Sequence, residues 1–250
     1  MQRIDLVLRK EDINVQTIPN KIAVVFDVLL ATSTVASMLH SGAKEVFPVY
    51  YFEEALRIAA ELDNDNYVLV GEDLGKPIEG FLYPFPVRLK EKVKGKTVIF
   101  STTNGTVALK KASSAREVYA GSMLNQRALA NYLVDKYDNE PILLVCSGSA
   151  GRFNLEDFFG AGSFLNALLD AGANRGLEWD LSDAALAALY FYKGNKENDK
   201  EVLQRTRIGK KLILEGYRDE VLYTLNQNAC PVIPHLEGST IRPAESILQE

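Results

Sequence analysis

Cysteine and histidine are scarce in this 250-residue chain: Cys146, Cys230, His40 and His235 are all there are. Two cysteines are too few for a disulfide scaffold at this length, and they offer no zinc-ligand spacing. A basic face is missing as well. Lys and Arg total 28 against 33 Asp and Glu, for a net charge of -5, which argues against a nucleic-acid partner. No apolar run approaches the roughly 18–20 residues of a membrane span. Arg3 and Asp5 interrupt the start where a signal peptide needs a continuous apolar stretch. A cytoplasmic protein without a membrane partner is the expectation. Two motifs are absent too. Without Gly-x-x-x-x-Gly-Lys-Ser/Thr, a nucleoside triphosphatase is disfavoured. Ser149 lies between Gly148 and Ala150, so the Gly-x-Ser-x-Gly elbow of a serine hydrolase does not form.

The hydrophobic fraction is 47% and the charged fraction 24%, ordinary for a chain that buries a large core. Apolar runs alternate with amphipathic stretches. Strands are expected at 22–30, 45–50, 67–71, 97–100, 117–120 and 142–146. Helices are expected around Val35–Gly42 and at 53–62, 106–112, 125–137 and 155–170. Such alternation predicts a three-layer α/β/α fold with a mixed, mostly parallel sheet. Residues 72–95 read as a long irregular excursion, of the kind that is usually functional or disordered. The last third is mainly helical, at 182–192, 200–215 and 219–226, and Pro231–Pro234 is a candidate for a return to the sheet. One α/β domain over 1–250 is expected, the alternative being two lobes with a helical lobe at about 180–250.

Thr34-Val35-Ala36 returns as Thr106-Val107-Ala108, and Glu45-Val46 returns as Glu117-Val118, at one common offset. Any two strand–loop–helix units resemble each other at this level, so the echo alone does not establish a repeat.

Three strands run into turns of small polar residues that open helices: Asp27–Thr34, Ser101–Thr106 and Cys146–Arg152. A helix N-terminus presents unpaired N–H groups and partial positive charge, which suits an anion. In a parallel sheet such turns gather at the carboxyl ends of the strands. Ser, Thr and Asn are also ordinary N-caps, and for one loop capping is the commoner explanation; three in one chain favour a site. Asp27 interrupts an apolar strand, where a charge is costly unless paired or bound to metal. Glu72-Asp73 follows another strand, and Glu156-Asp157 opens a helix. Together these carboxylates suit a hard cation such as Mg2+, which takes few carboxylates plus water and substrate oxygens. Cys146 and Arg152 also satisfy Cys-x5-Arg, which keeps a thiolate nucleophile open as an alternative. His40 reads as structural or solvent-facing, and His235, after Pro234, as a loop residue.

These segments resemble the 2-phosphosulfolactate phosphatase family. The likeness rests on Val25-Phe-Asp-Val-Leu-Leu-Ala-Thr-Ser-Thr34, Gly42-Ala-Lys-Glu-Val46, Gly71-Glu72, Ser101–Thr106 and Cys146–Asp157, and ends at Ala161-Gly162. It implies magnesium-dependent hydrolysis of 2-phosphosulfolactate to sulfolactate and phosphate. By position it makes Asp27, Glu72, Glu156 and Asp157 the metal-site candidates. It makes Thr32, Ser33, Thr34, Thr102, Asn104, Gly105, Gly148 and Arg152 candidates for holding phosphate or sulfonate. Asp27, Glu156, Asp157 and Cys146 are the catalytic candidates, and a homo-oligomer is expected. The chain departs from the family pattern at Leu30 and Asp73, where arginine is usual, and at Leu82–Arg88, where a polar turn is usual. Lys76 or Arg88 is expected to restore the missing charge. The same departures support a second reading, a catalytically silent metabolite-binding or regulatory protein on this scaffold.

Overall fold

A computed structural model describes residues 2–62, 66–173 and 175–244. Three strands of the parallel sheet and the two helices between them form a first unit: β2 (Ile22–Phe26), α1 (Ala31–His40), β3 (Glu45–Val49), α2 (Phe52–Ala59) and β4 (Tyr67–Asp73). A second follows the same order: β6 (Thr97–Ser101), α4 (Gly105–Ala112), β7 (Glu117–Gly121), α5 (Gln126–Lys136) and β8 (Ile142–Cys146). Around them lie β1 (Gln2–Val7), β5 (Lys76–Pro77), α3 (Pro86–Leu89), α6 (Leu155–Ala173) and β9 (Trp179–Leu181). The chain finishes with α7 (Asp183–Asn195), α8 (Asp199–Arg205), α9 (Arg207–Leu214), α10 (Arg218–Tyr223), β10 (Pro234–Glu237) and β11 (Thr240–Pro243).

The strands run β5-β4-β6-β3-β11-β10-β7-β2-β8-β1-β9. Two parallel blocks, β4-β6-β3 and β7-β2-β8-β1-β9, are joined by the antiparallel β10–β11 hairpin. Period-two alternation assigns each strand residue to a layer. Ala23, Val25, Val46, Val98, Phe100, Val118, Ala120, Leu143 and Val145 pack with α1 and α4 on one face. Val24, Phe26, Tyr119, Leu144 and Cys146 pack with α5, α6 and α7 on the other, where α2 covers Val49 and Ile99. The result is a three-layer α/β/α fold with a mixed, mostly parallel sheet.

The two units interlock, each lending strands to the other's neighbours. Ile22 of β2 pairs with Glu117 of β7 and Ile142 of β8; Thr97 of β6 pairs with Glu45 of β3 and Tyr67 of β4. The hairpin follows the same rule. Leu236 meets Val118, Ile241 meets Val46, and these two hairpin residues face each other. Glu45 and Glu117 are therefore equivalent positions, as the sequence echo suggests. The helices slip relative to that echo, so that Thr106 corresponds to Thr32 rather than Thr34.

Several boundaries differ from expectation. β2 stops at Phe26, because the turn over Asp27–Leu30 precedes α1. The expected 200–215 helix is two helices, broken at Thr206, whose hydroxyl caps α9 by accepting from Gly209 N–H at 3.0 Å. His235 lies in β10, only 8% exposed, stacked on Tyr119 and bonded to Glu117 at 2.5 Å. No described helix is long and apolar enough to cross a membrane.

Candidate functional site

The β2–α1 and β6–α4 turns meet where the two units touch. A Cβ on Gly105 would overlap the Cβ of Ala31, its counterpart, and would sit 2.7 Å from Asp27 Oδ2. Each turn is closed by the same clasp. Asp27 N–H donates to Thr32 Oγ1 at 3.0 Å, and that hydroxyl donates back to Asp27 C=O at 3.1 Å. Thr102 N–H donates to Thr106 Oγ1 at 2.9 Å, and Thr106 donates back to Thr102 C=O at 2.9 Å.

A cleft of about 480 Å³ opens at this junction. Asp27, Glu72, Thr102, Thr103, Asn104 and Lys10 line its polar end; Leu29, Leu30, Leu74, Tyr83, Ile208 and Leu212 form much of the rest. Asp27 is held loosely, accepting from Ala31 N–H at 3.4 Å and Ser147 Oγ at 3.3 Å. Burial pushes its carboxyl up to about 6; the Ala31 N–H pulls it down, and the charge of Glu72 adds to the rise. Glu72 spans the turns, accepting from Thr103 N–H at 2.7 Å, Thr103 Oγ1 at 3.1 Å and Gly75 N–H at 2.5 Å. Lys10 is 6% exposed, donates to Asn104 Oδ1 at 2.9 Å and lies 3.2 Å from Glu11.

Of the residues singled out in the sequence, Asp27, Glu72, Thr102 and Asn104 line the cleft. The other hydroxyls of the first turn are buried behind it. Ser33 donates to Val28 C=O at 3.0 Å, and Thr34 donates to Pro84 C=O at 2.9 Å, so they fasten the turn and the 72–95 excursion. Gly105 serves the contact between units. Asp157 has both carboxylate oxygens occupied, by Val28 N–H at 2.9 Å and Gly148 N–H at 3.1 Å. It ties the first and third polar turns together. Glu156 is 1% exposed, and its Oε1 has no hydrogen-bond partner among the described residues. Burial pushes Glu156 up to about 7, and burial, then the charges of Asp27 and Glu156, raises Asp157 well above the carboxylate range.

Cys146 is wholly buried in the apolar layer under α5–α7. Burial first, then Asp157 and Glu156, raises its thiol, conditions that oppose a reactive thiolate. Gly148 takes a positive φ of 64° in the third turn, and Arg152 is exposed away from the cleft lining. Neither expected replacement for the missing arginines lines the cleft. Lys76 is exposed on β5, while Arg88 lies over Phe85 and Tyr217 and 3.5 Å from Glu220. Lys10, Arg207 and Lys211 stand in the cleft instead. Sequence reasoning passed over them because each lies outside the polar turns. The only signal was Thr206 followed by Arg207 and Gly209, a capped helix start.

The sequence profile of the 2-phosphosulpholactate phosphatase family matches residues 7–239. The chain belongs to this family. A probable 2-phosphosulfolactate phosphatase of Caldanaerobacter subterraneus subsp. tengcongensis is 35% identical over 235 residues, 93% of this chain and 95% of the relative. The corresponding protein of Clostridium acetobutylicum is 36% identical, over 96% and 99% of the two chains. That of Thermotoga maritima is 36% identical over 86% and 88%. Enzymes so named are phosphoric monoester hydrolases, and the match runs across both units and the helices that wall the cleft.

Proposed function

We propose that this protein hydrolyses a small phosphate ester, 2-phosphosulfolactate, to sulfolactate and phosphate, with Mg2+ as cofactor. One observation carries the reading: two carboxylates, Asp27 and Glu72, face a cleft beside Lys10, Asn104 and the start of α4. Among the described residues no three His, Cys, Asp or Glu side chains converge as metal ligands. A magnesium ion here fits two carboxylates with water and substrate oxygens, its usual company. Asp27 suits that role, since its charge is buried and weakly compensated. When bound, magnesium supplies Lewis-acid charge against the phosphoryl oxygens. Lys10 meets the same oxygens, Asn104 orients them, and Leu29, Leu30 and Tyr83 keep bulk water from the ester. The oxygen of a water forms the new bond to phosphorus as the ester P–O bond breaks. Its proton passes to a cleft carboxylate and on to the departing alkoxide, leaving alcohol and inorganic phosphate. Cys146 takes no part in this route, because its thiol is sealed in the core.

Phosphate release from 2-phosphosulfolactate and a panel of small esters, with magnesium and with chelator, tests the reading. Absence of metal-dependent turnover on every ester would sink it. The silent-homologue reading draws on Leu30, an apolar residue in the cleft wall. It expects tight binding of such a metabolite without turnover, and hydrolysis recovered by Leu30→Arg with Asp73→Arg.

A further inference from the structure

The cleft has a second charged end, on the wall contributed by α9. Arg207, Ile208, Lys211 and Leu212 all line it. Their spacing places the four on one face of the helix. The position of α9 is tightly set. Thr206 caps it, and a Cβ on Gly209 would overlap Leu203 C=O and stand 2.9 Å from Thr206 Oγ1. Any side chain there would push the helix off its seat. The two cations on this face are incompletely matched. Arg207 donates to the neutral amide oxygen of Asn154 at 3.2 Å and its charge acts on the buried Glu156 carboxyl, but it has no ion pair within 4.0 Å among the described residues. Lys211 reaches Gly75 C=O at 3.4 Å and Glu215 at 3.9 Å, both long contacts. In a chain of net charge -5, two under-paired cations facing one cleft make a local anion-attracting wall. The phosphoryl end already has Lys10, so this wall has charge left for another group.

We infer that Arg207 and Lys211 hold a second acidic group of the ester, a sulfonate or carboxylate, while its phosphoryl group sits at the Asp27–Glu72 end. The assignment rests on the phosphatase reading and adds to it the residues that read the acid on the ester's short carbon skeleton. Ile208 and Leu212, between and beside the cations, contact that skeleton. The two residues select substrates and do not touch the reacting phosphorus.

The test compares the full chain with Arg207→Gln, Lys211→Met and Lys211→Arg, each checked for an unchanged melting transition. Steady-state kinetics use 2-phosphosulfolactate and a monoester lacking the second acid, isopropyl phosphate. Calorimetric titration with sulfolactate reads binding without turnover. Arg207→Gln and Lys211→Met are expected to raise KM for the acidic ester tenfold or more, with kcat changed less than threefold. Their loss on 2-phosphosulfolactate should exceed that on isopropyl phosphate by at least tenfold, and Lys211→Arg should recover most of it. Sulfolactate affinity should fall in parallel. Equal losses on both esters, or sulfolactate binding that is absent from the wild-type chain or indifferent to both variants, overturn the assignment. Cation-dependent sulfolactate binding with no ester hydrolysed upholds it and removes the phosphatase reading instead.

Discussion

The two interlocked units share a backbone plan and divide the chemistry unequally. Both close their first turn with a Thr hydroxyl clasp, Thr32 on Asp27 and Thr106 on Thr102. Both pair a glutamate at the start of the second strand with a hairpin cation-forming side chain, Glu45 with Arg242 and Glu117 with His235. At the clasped position the first unit carries Asp27 and the second Thr102. At the matching position near the end of the third strand the first carries Glu72 and the second Ser147. Of the acids that face the cleft, Asp27 and Glu72 come from the first unit and Glu11 from the segment before it, while the second unit lends hydroxyls, Asn104 and a helix start. What is held in common maintains the fold. What differs concentrates negative charge on the first unit's side of the cleft, alongside neutral donors from the second that suit a phosphoryl group.

Removing that charge should have the largest effect. Asp27→Asn is expected to lower kcat/KM by at least about a hundredfold, the scale seen when a group stabilising the transition state is lost. The same variant should be more stable. The folded carboxyl titrates at about 6, above its ordinary range, so protonation favours the folded chain. That stability is complete below the unfolded value near 3.9 and is lost as pH rises through about 6. In chelator, the melting temperature of Asp27→Asn should therefore exceed wild type by a margin that grows from pH 4 to pH 7. It should correspond to about 3 kcal/mol at pH 7. A margin that shrinks with rising pH would contradict the burial of this charge. Next is the Gly105–Ala31 contact where the two units touch. Gly105→Ala should destabilise by about 1–3 kcal/mol through overpacking. Ala31→Gly in the same chain should return part of that, since the two Cβ positions compete for one space. Additive losses in the double variant would show that the units do not meet there.

The layers were legible because they depend on periodicity, whereas the repeat showed only as an echo that the sequence alone did not establish. Alternating apolar residues in β2, β6 and β8 had to face two cores, and Glu45-Val46 and Glu117-Val118 occupy matching edges. Asp27 and Glu72 were legible for the same reason, as charges out of place at strand ends. Which hydroxyls face ligand was not legible. Thr32, Ser33 and Thr34 have the composition of an anion loop, yet all three are buried and donate to backbone carbonyls. Lys10, Arg207 and Lys211 come from segments far apart in the chain and reach the cleft only through packing. Their role depends on tertiary placement that no local pattern carries.

The smallest effects should be the most informative about the repeat. Thr32→Val and Thr106→Val each leave a buried N–H and a C=O without their hydroxyl partner, at a cost of about 1–3 kcal/mol. The two clasps share these two bonds at nearly the same lengths, Thr32 and Thr106 are both 0% exposed, and Thr106 adds only a longer 3.3 Å contact to Thr102 Oγ1, so denaturant midpoints should shift by similar amounts. Activity should not. Thr32 supports the turn that aims Asp27, whereas Thr106 supports Thr102, which carries no charge. At matched stability loss, Thr32→Val is expected to lower kcat several-fold more than Thr106→Val. Equal kcat values would mean that the acid's aim does not depend on its clasp, and the functional division between the units would rest on residue identity alone.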